Sequence, residues 1–139
     1  MTKIPPIIGE AESFVRQLAT EFTRVRDGEC LCCYMARQLD EYPCDGTHRH
    51  ALRYRDAVAP RVTTLKRRLS QLGACCCDCE LFMNGYEPHR RFWTPGREIR
   101  HNGIVILIDA EPPEDLAPCA GVKRGSTAPC DNWVRVRRG

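Results

Sequence analysis

The sequence predicts an α+β fold: N-terminal helices packed on a small antiparallel C-terminal sheet, joined by a cysteine metal site. Three observations predict it. Apolar residues recur at helical spacing up to about residue 73. Beyond that point β-branched residues and turn signals take over. Ten cysteines among 139 residues gather around the change of period. The length predicts one zinc-stabilised domain over 1–139, mainly helical over 1–73 and built of strands and loops over 74–139.

The first helix is read from Ala11, Phe14, Val15, Leu18, Phe22 and Val25, a stripe that predicts one core-facing amphipathic helix closed by Gly28. A second begins near Glu29-Cys30 and runs through Tyr34, Met35 and Leu39 until Pro43 stops it. Asp45-Gly46-Thr47 reads as a turn with Thr47 as N-cap of a third helix over 48–58. Pro60 suits the first turn of a fourth over 60–72, striped by Val62, Leu65, Leu69 and Leu72 and capped by Gly73. Asn84-Gly85 signals a turn. Residues 97–100 and 104–108 flank His101-Asn102-Gly103 as a hairpin, and Ile104-Val105-Ile106-Leu107-Ile108 is the strongest strand pattern. The same run, the longest apolar one, is far too short to cross a bilayer. Residues 111–115 read as a Pro-rich solvated loop.

The cysteines carry the chemistry. Three lie at Cys30, Cys32 and Cys33, four at Cys75, Cys76, Cys77 and Cys79, and Cys44, Cys119 and Cys130 stand apart. The start of the chain lacks the apolar stretch of about 7–15 residues that a secretory signal needs, so a cytoplasmic setting with reduced thiols is expected. Clustered thiols there bind metal or do redox work. Cys30-x2-Cys33 puts two sulfurs one turn apart at a helix start, where the helix dipole favours thiolate. Cys77-x-Cys79 offers two more. Together Cys30, Cys33, Cys77 and Cys79 predict a four-sulfur tetrahedral site for Zn2+. An iron–sulfur cluster, buried free thiols and disulfides are the competing readings. Cys44, His48, Cys119 and Cys130 are possible ligands of a second site, or Cys44 and His48 alternative ligands of the first. Otherwise His48 and His50 are surface histidines on a basic helix.

The segments Glu29-Cys30-Leu31-Cys32-Cys33-Tyr34, Cys44-Asp45-Gly46-Thr47 and Cys77-Asp78-Cys79-Glu80 with Asn84 resemble a family of small cysteine-rich actinobacterial proteins of unknown function. The Gly125-Ser-Thr-Ala-Pro-Cys130 ending is similar to that family's tail. The resemblance supports metal ligation but implies no activity, and Cys32, Cys75 and Cys76 are extra to the pattern.

Catalytic signatures are absent: no deaminase His-x-Glu with Pro-Cys-x-x-Cys, no His-Glu-x-x-His, no Gly-x-Ser-x-Gly and no Walker loop. No small-molecule substrate is evident. Asp78 and Glu80 flank the cysteines as supports. Charge is uneven along the chain. Residues 1–47 hold five basic and eight acidic side chains, and residues 48–100 hold eleven and five. Arg53, Arg61, Lys66, Arg67 and Arg68 lie on the third and fourth helices, and Tyr54, Tyr86, Phe92, Trp93 and Trp133 could stack on bases. The function read from the sequence is a non-catalytic zinc protein acting as an RNA- or ribosome-associated regulator, responsive to zinc or to thiol oxidation. The runner-up is a protein–protein adaptor with a structural zinc, and the third reading is a thiol redox protein. No membrane partner is expected.

Overall fold

A computed structural model describes residues 6–137. Residues 1–5, part of the start that lacks a signal-like apolar stretch, and the last two, including Arg138 of the basic tail, lie outside the described residues. The fold is α+β. Four helices, α1 (Pro6–Thr23), α2 (Leu31–Glu41), α3 (Arg49–Val58) and α4 (Leu65–Gln71), precede two antiparallel strand pairs. One pair joins β1 (Tyr86–Pro88) to β4 (Trp133–Arg135), with Tyr86 opposite Arg135 and Pro88 opposite Trp133. The other is a hairpin of β2 (Arg97–His101) and β3 (Ile104–Ile108). Its two-residue turn sets Asn102 and Gly103 at φ 51° and 77°, the left-handed pair that matches strand twist.

The core lies between α2, α3, α4 and the β1–β4 pair. Leu31, Tyr34 and Met35 of α2 meet Ala51 and Tyr54 of α3, with Leu65, Leu69, Leu81 and Trp133 closing the cluster. The Tyr34 and Tyr54 rings are 5.6 Å apart, and Phe82 lies 5.2 Å from Trp133. Both buried phenols find acceptors: Tyr34 donates to the Thr23 carbonyl at 2.6 Å and Tyr54 to that of Glu29 at 2.7 Å. A wide helical turn, Leu81–Gly85, leads from the second cysteine cluster into β1. Asn84 pins it by donating to the Gly73 carbonyl at 2.9 Å.

Three sequence expectations are corrected. The stripe of α1 does not face the core: Phe14, Val15 and Leu18 are 61%, 63% and 48% exposed. Periodicity shows that a face is apolar, not that the chain has something to cover it. Among the described residues the helix is tied down at its end, where the Phe22 carbonyl accepts from Arg37 and Gln38 and the Thr23 carbonyl from Tyr34. The fourth helix begins at Leu65, not Pro60, because Val62-Thr63-Thr64 is a β-branched run with poor helix propensity. His48 and His50 are not surface residues. Their relative exposures are 8% and 1%, and each ring Nε2 bonds a carbonyl, that of Ala74 at 2.9 Å and that of Tyr42 at 3.1 Å.

Candidate metal centre

α2 begins on a sulfur. Cys30 occupies the N-cap in extended conformation, and its Sγ accepts the N–H of Cys33 at 3.3 Å. A thiolate suits that position because the helix end supplies an N–H donor and a favourable dipole. The C-terminal tail then lies across the helix start. Val122 N–H donates to the Gly28 carbonyl at 3.0 Å, and Gly121, at φ 89°, turns the chain just after Cys119. The Cys119 sulfur accepts from the N–H of Cys30 at 3.3 Å and of Gly121 at 3.4 Å. Cys130 completes the group, so Cys30, Cys33, Cys119 and Cys130 hold four sulfurs within 4.8 Å of one another.

The residues fit a metal ion. Four sulfurs at about 2.3 Å from a tetrahedral ion stand about 3.8 Å apart. Cys33 Sγ and Cys130 Sγ are separated by 3.8 Å. Trp133 adds an Nε1–H bond to Cys33 Sγ at 3.2 Å. Donors aimed at sulfur stabilise thiolate over thiol. Hydrogen bonding from the Cys33 thiol pulls Cys30 down to about 5, against the effect of burial. The same bond, with burial, pushes Cys33 well up, and burial raises Cys130. Cys30 is thus favoured as thiolate while Cys33 and Cys130 hold their protons, and a cation among the sulfurs would favour the thiolate form.

A second cluster forms from Cys44, Cys77 and Cys79, all half-buried. The four cysteines expected in one site are thus divided: Cys30 and Cys33 pair with Cys119 and Cys130, and Cys77 and Cys79 pair with Cys44. His48 joins neither group, since its Nε2 is engaged by Ala74. Cys32 is a core thiol, 1% exposed, which burial holds well above its ordinary pKa. Cys75 and Cys76 are exposed and bonded to each other.

Sequence reasoning missed the part played by Asp78. Its carboxylate, 1% exposed, caps α3 from outside that helix, accepting N–H of His50 at 2.8 Å and of Ala51 at 3.3 Å. The expected cap, Thr47, accepts only the Arg49 N–H, at 3.3 Å. The signal was present in the Cys-Asp-Cys spacing, but only tertiary closure shows which helix the aspartate serves. Replacing Asp78 with alanine is expected to cost about 2–4 kcal/mol, because two buried N–H groups lose their acceptor. Urea denaturation measures this, and a loss below about 1 kcal/mol would contradict the capping role.

The basic residues are spread over the surface. Arg53, Arg61, Lys66, Arg67 and Arg68 are exposed, and Arg68 donates to Thr127 Oγ1 at 3.0 Å. Arg61 also lines a groove with Arg24, Arg26, Lys123 and Arg124. The aromatics expected to stack on bases are largely engaged. Tyr54 and Trp133 are buried, and Arg90 and Arg91 lie over Trp93 and Phe92 at 3.7 and 4.7 Å from the ring centres. No helix among the described residues is long and apolar enough to cross a membrane.

Fold and clusters together define a cysteine-rich α+β protein with one closed four-sulfur group and one open three-sulfur group. Residues 31–84 match the family described as "Protein of unknown function (DUF2695)". The chain is 41% identical over 64 residues to "Uncharacterized protein Rv2271" of Mycobacterium tuberculosis (strain ATCC 25618 / H37Rv), covering 46% of this chain and 63% of that protein. The figures are the same for "Uncharacterized protein Mb2294" of Mycobacterium bovis. The chain thus spans 63% of the length of these curated relatives. Its resemblance to a small actinobacterial cysteine-rich family of unknown function, read from the motifs, holds. No solved structure matches.

Proposed function

We propose that this chain is a non-catalytic zinc protein of the cytoplasm whose four-sulfur group Cys30, Cys33, Cys119 and Cys130 holds a structural Zn2+, and that it acts as an RNA- or ribosome-associated regulator. The observation that carries the zinc reading is the closed, donor-rich set of four sulfurs with a 3.8 Å edge. Four protein ligands leave no position for water, which is the arrangement of a structural site and not of a catalytic one. Zinc is favoured over an iron–sulfur cluster because a cluster needs room for several irons and sulfides between its cysteines. Here the sulfurs stand at the spacing of one ion.

Support for the nucleic-acid reading comes from charge. The groove lined by Arg24, Arg26, Arg61, Lys123 and Arg124 is opposed there only by Asp27 and Glu29, and Arg37 neutralises Glu29. Guanidinium and ammonium groups so placed suit a phosphate backbone. With Trp133 and Tyr54 buried, contact would run through phosphates and not through stacked bases. A single-stranded RNA oligonucleotide is expected to bind more weakly as salt rises. Substituting Arg61, Lys123 and Arg124 with alanine should lower affinity and flatten the salt slope by about one per lost phosphate contact. Affinity indifferent to both changes would overturn the RNA reading and leave the zinc reading standing.

One observation favours the adaptor reading. The hairpin and α1 present apolar side chains to solvent, with Leu107 75% and Ile104 63% exposed. Exposed apolar surface of this kind suits a protein partner.

A further inference from the structure

The Cys44, Cys77 and Cys79 group is built with as much care as the closed one, but for a different purpose. Its sulfurs come from two loops far apart in sequence, and Asp78 locks those loops together. The Asp78 N–H donates to the Thr47 carbonyl at 3.0 Å, while the carboxylate caps α3. The residue between the two cysteines is thus a buried anchor, and the thiols on either side are presented toward Cys44. Glu80 fixes the approach from the other side. Its Oε1 accepts N–H of Cys76 at 3.2 Å and of Cys77 at 3.1 Å and lies 3.5 Å from Cys77 Sγ.

Packing does not explain the group. Cys32 shows what a packing cysteine looks like here: it is 1% exposed and belongs to no sulfur cluster. Cys44, Cys77 and Cys79 are half-buried, and Cys77 Sγ lies 3.2 Å from Cys79 Sγ. Three sulfurs gathered within 4.8 Å form a donor set suited to a thiophilic cation. A fourth protein donor is missing among the described residues. No other His, Cys, Asp or Glu shares the 4.8 Å span, His48 is held by the Ala74 carbonyl, and Cys75 is bonded to Cys76. A tetrahedral ion here would keep one position for water or for a donor from solution.

We propose that Cys44, Cys77 and Cys79 form a second, three-thiolate Zn2+ site, open at its fourth position and exchanging with solution. It is distinct from the closed centre in ligands, exposure and consequence. The closed centre joins the two ends of the fold. The open site lies on loops that Asp78 and Glu80 already hold, so its ion can leave without unfolding the core. Seating the ion widens the Cys77–Cys79 separation by roughly 0.6 Å, toward the tetrahedral edge set by bonds of about 2.3 Å. Two half-buried side chains at a loop can supply that shift.

The test is native mass spectrometry of the zinc-loaded full chain during titration with a zinc chelator, with thermal melting on the same samples. Two zinc ions per chain are expected. One should leave first with little change in melting temperature, and the second with unfolding. The Cys44→Ser and Cys79→Ser proteins should each carry one zinc and melt close to the parent. Circular dichroism checks that each is folded; should Cys79→Ser fail it, Cys44→Ser decides alone. A parent chain with a single zinc that leaves with unfolding would overturn the second site and spare the closed centre. So would two zinc ions retained by both variants. A chain with no zinc would overturn this site and the zinc reading of the closed centre together.

Discussion

Cys130→Ser is expected to lose the zinc proposed for the closed centre and to release the tail from the start of α2. Structural zinc sites of this type supply roughly 10–16 kcal/mol of apparent binding energy, which is folding energy where the site exists only in the folded chain. A domain's whole margin is about 5–15 kcal/mol, so losing even part of this contribution is decisive. Near the start of α2 the tail is otherwise held by the Cys30 N–H on Cys119 Sγ at 3.3 Å and the Val122–Gly28 backbone bond, with the Tyr54 hydroxyl of α3 donating to the Ser126 carbonyl at 3.2 Å, while farther on β4 is paired with β1. Trp133, three residues beyond Cys130, would leave its place against Phe82 and lose its bond to Cys33 Sγ. Tryptophan fluorescence and zinc content should change together. Chelator applied to the parent should reproduce the effect, and acid should help it, because ligand thiolates take up protons as the ion leaves. A variant that keeps one equivalent of closed-site zinc and its melting temperature would remove the structural role.

Arg37→Met is expected to destabilise the chain by about 3–5 kcal/mol, the usual loss when one partner of a buried ion pair is removed. Glu29 has a side chain only 5% exposed, and Arg37 holds it twice, through Nε to Oε2 at 3.0 Å and Nη2 to Oε1 at 2.8 Å. The same guanidinium donates to the carbonyls of Phe22 at 2.6 Å and Arg24 at 2.9 Å, and lies over the rings of Phe22 and Tyr34. One side chain therefore joins the end of α1, the loop before Cys30 and α2. Lysine cannot make the forked contact, so Arg37→Lys should recover only a fraction. Glu29→Gln combined with Arg37→Met should be less damaged than Arg37→Met alone, because no carboxylate is left stranded. Denaturant midpoints measure all three, and a loss of less than about 1 kcal/mol in Arg37→Met would show that the pair does not carry this weight.

Much of the fold is legible in the residues alone. The spans of α2 and α3 and the Asn102-Gly103 turn follow from local chemistry, and local chemistry is what a sequence displays. The rest depends on closure of the chain. Cys30-x2-Cys33 announces a ligand pair but carries nothing to say whether its partners lie at Cys77 and Cys79 or at Cys119 and Cys130. Asp78 looks like a neighbour of two ligands, and only the fold shows it capping α3. His48 and His50 sit in a stretch rich in arginine, which reads as surface, yet their rings turn inward to backbone carbonyls. The stripe on α1 is real as a pattern, but no pattern reports whether something packs on it.

The two sulfur clusters also differ in when they can exist. The open cluster is complete once residue 79 has been made, whereas the closed one waits for residue 130. At roughly 5–20 residues per second, that interval lasts about 3–10 s for every molecule synthesised. During it Cys30 and Cys33 stand without their partners, while the later loop and α3 can already be joined through Asp78. Nascent chains short of zinc or exposed to oxidant in those seconds are the ones at risk of pairing Cys30 with Cys33. The spacing of ten cysteines along the chain thus sets a timetable for assembly as well as a coordination geometry.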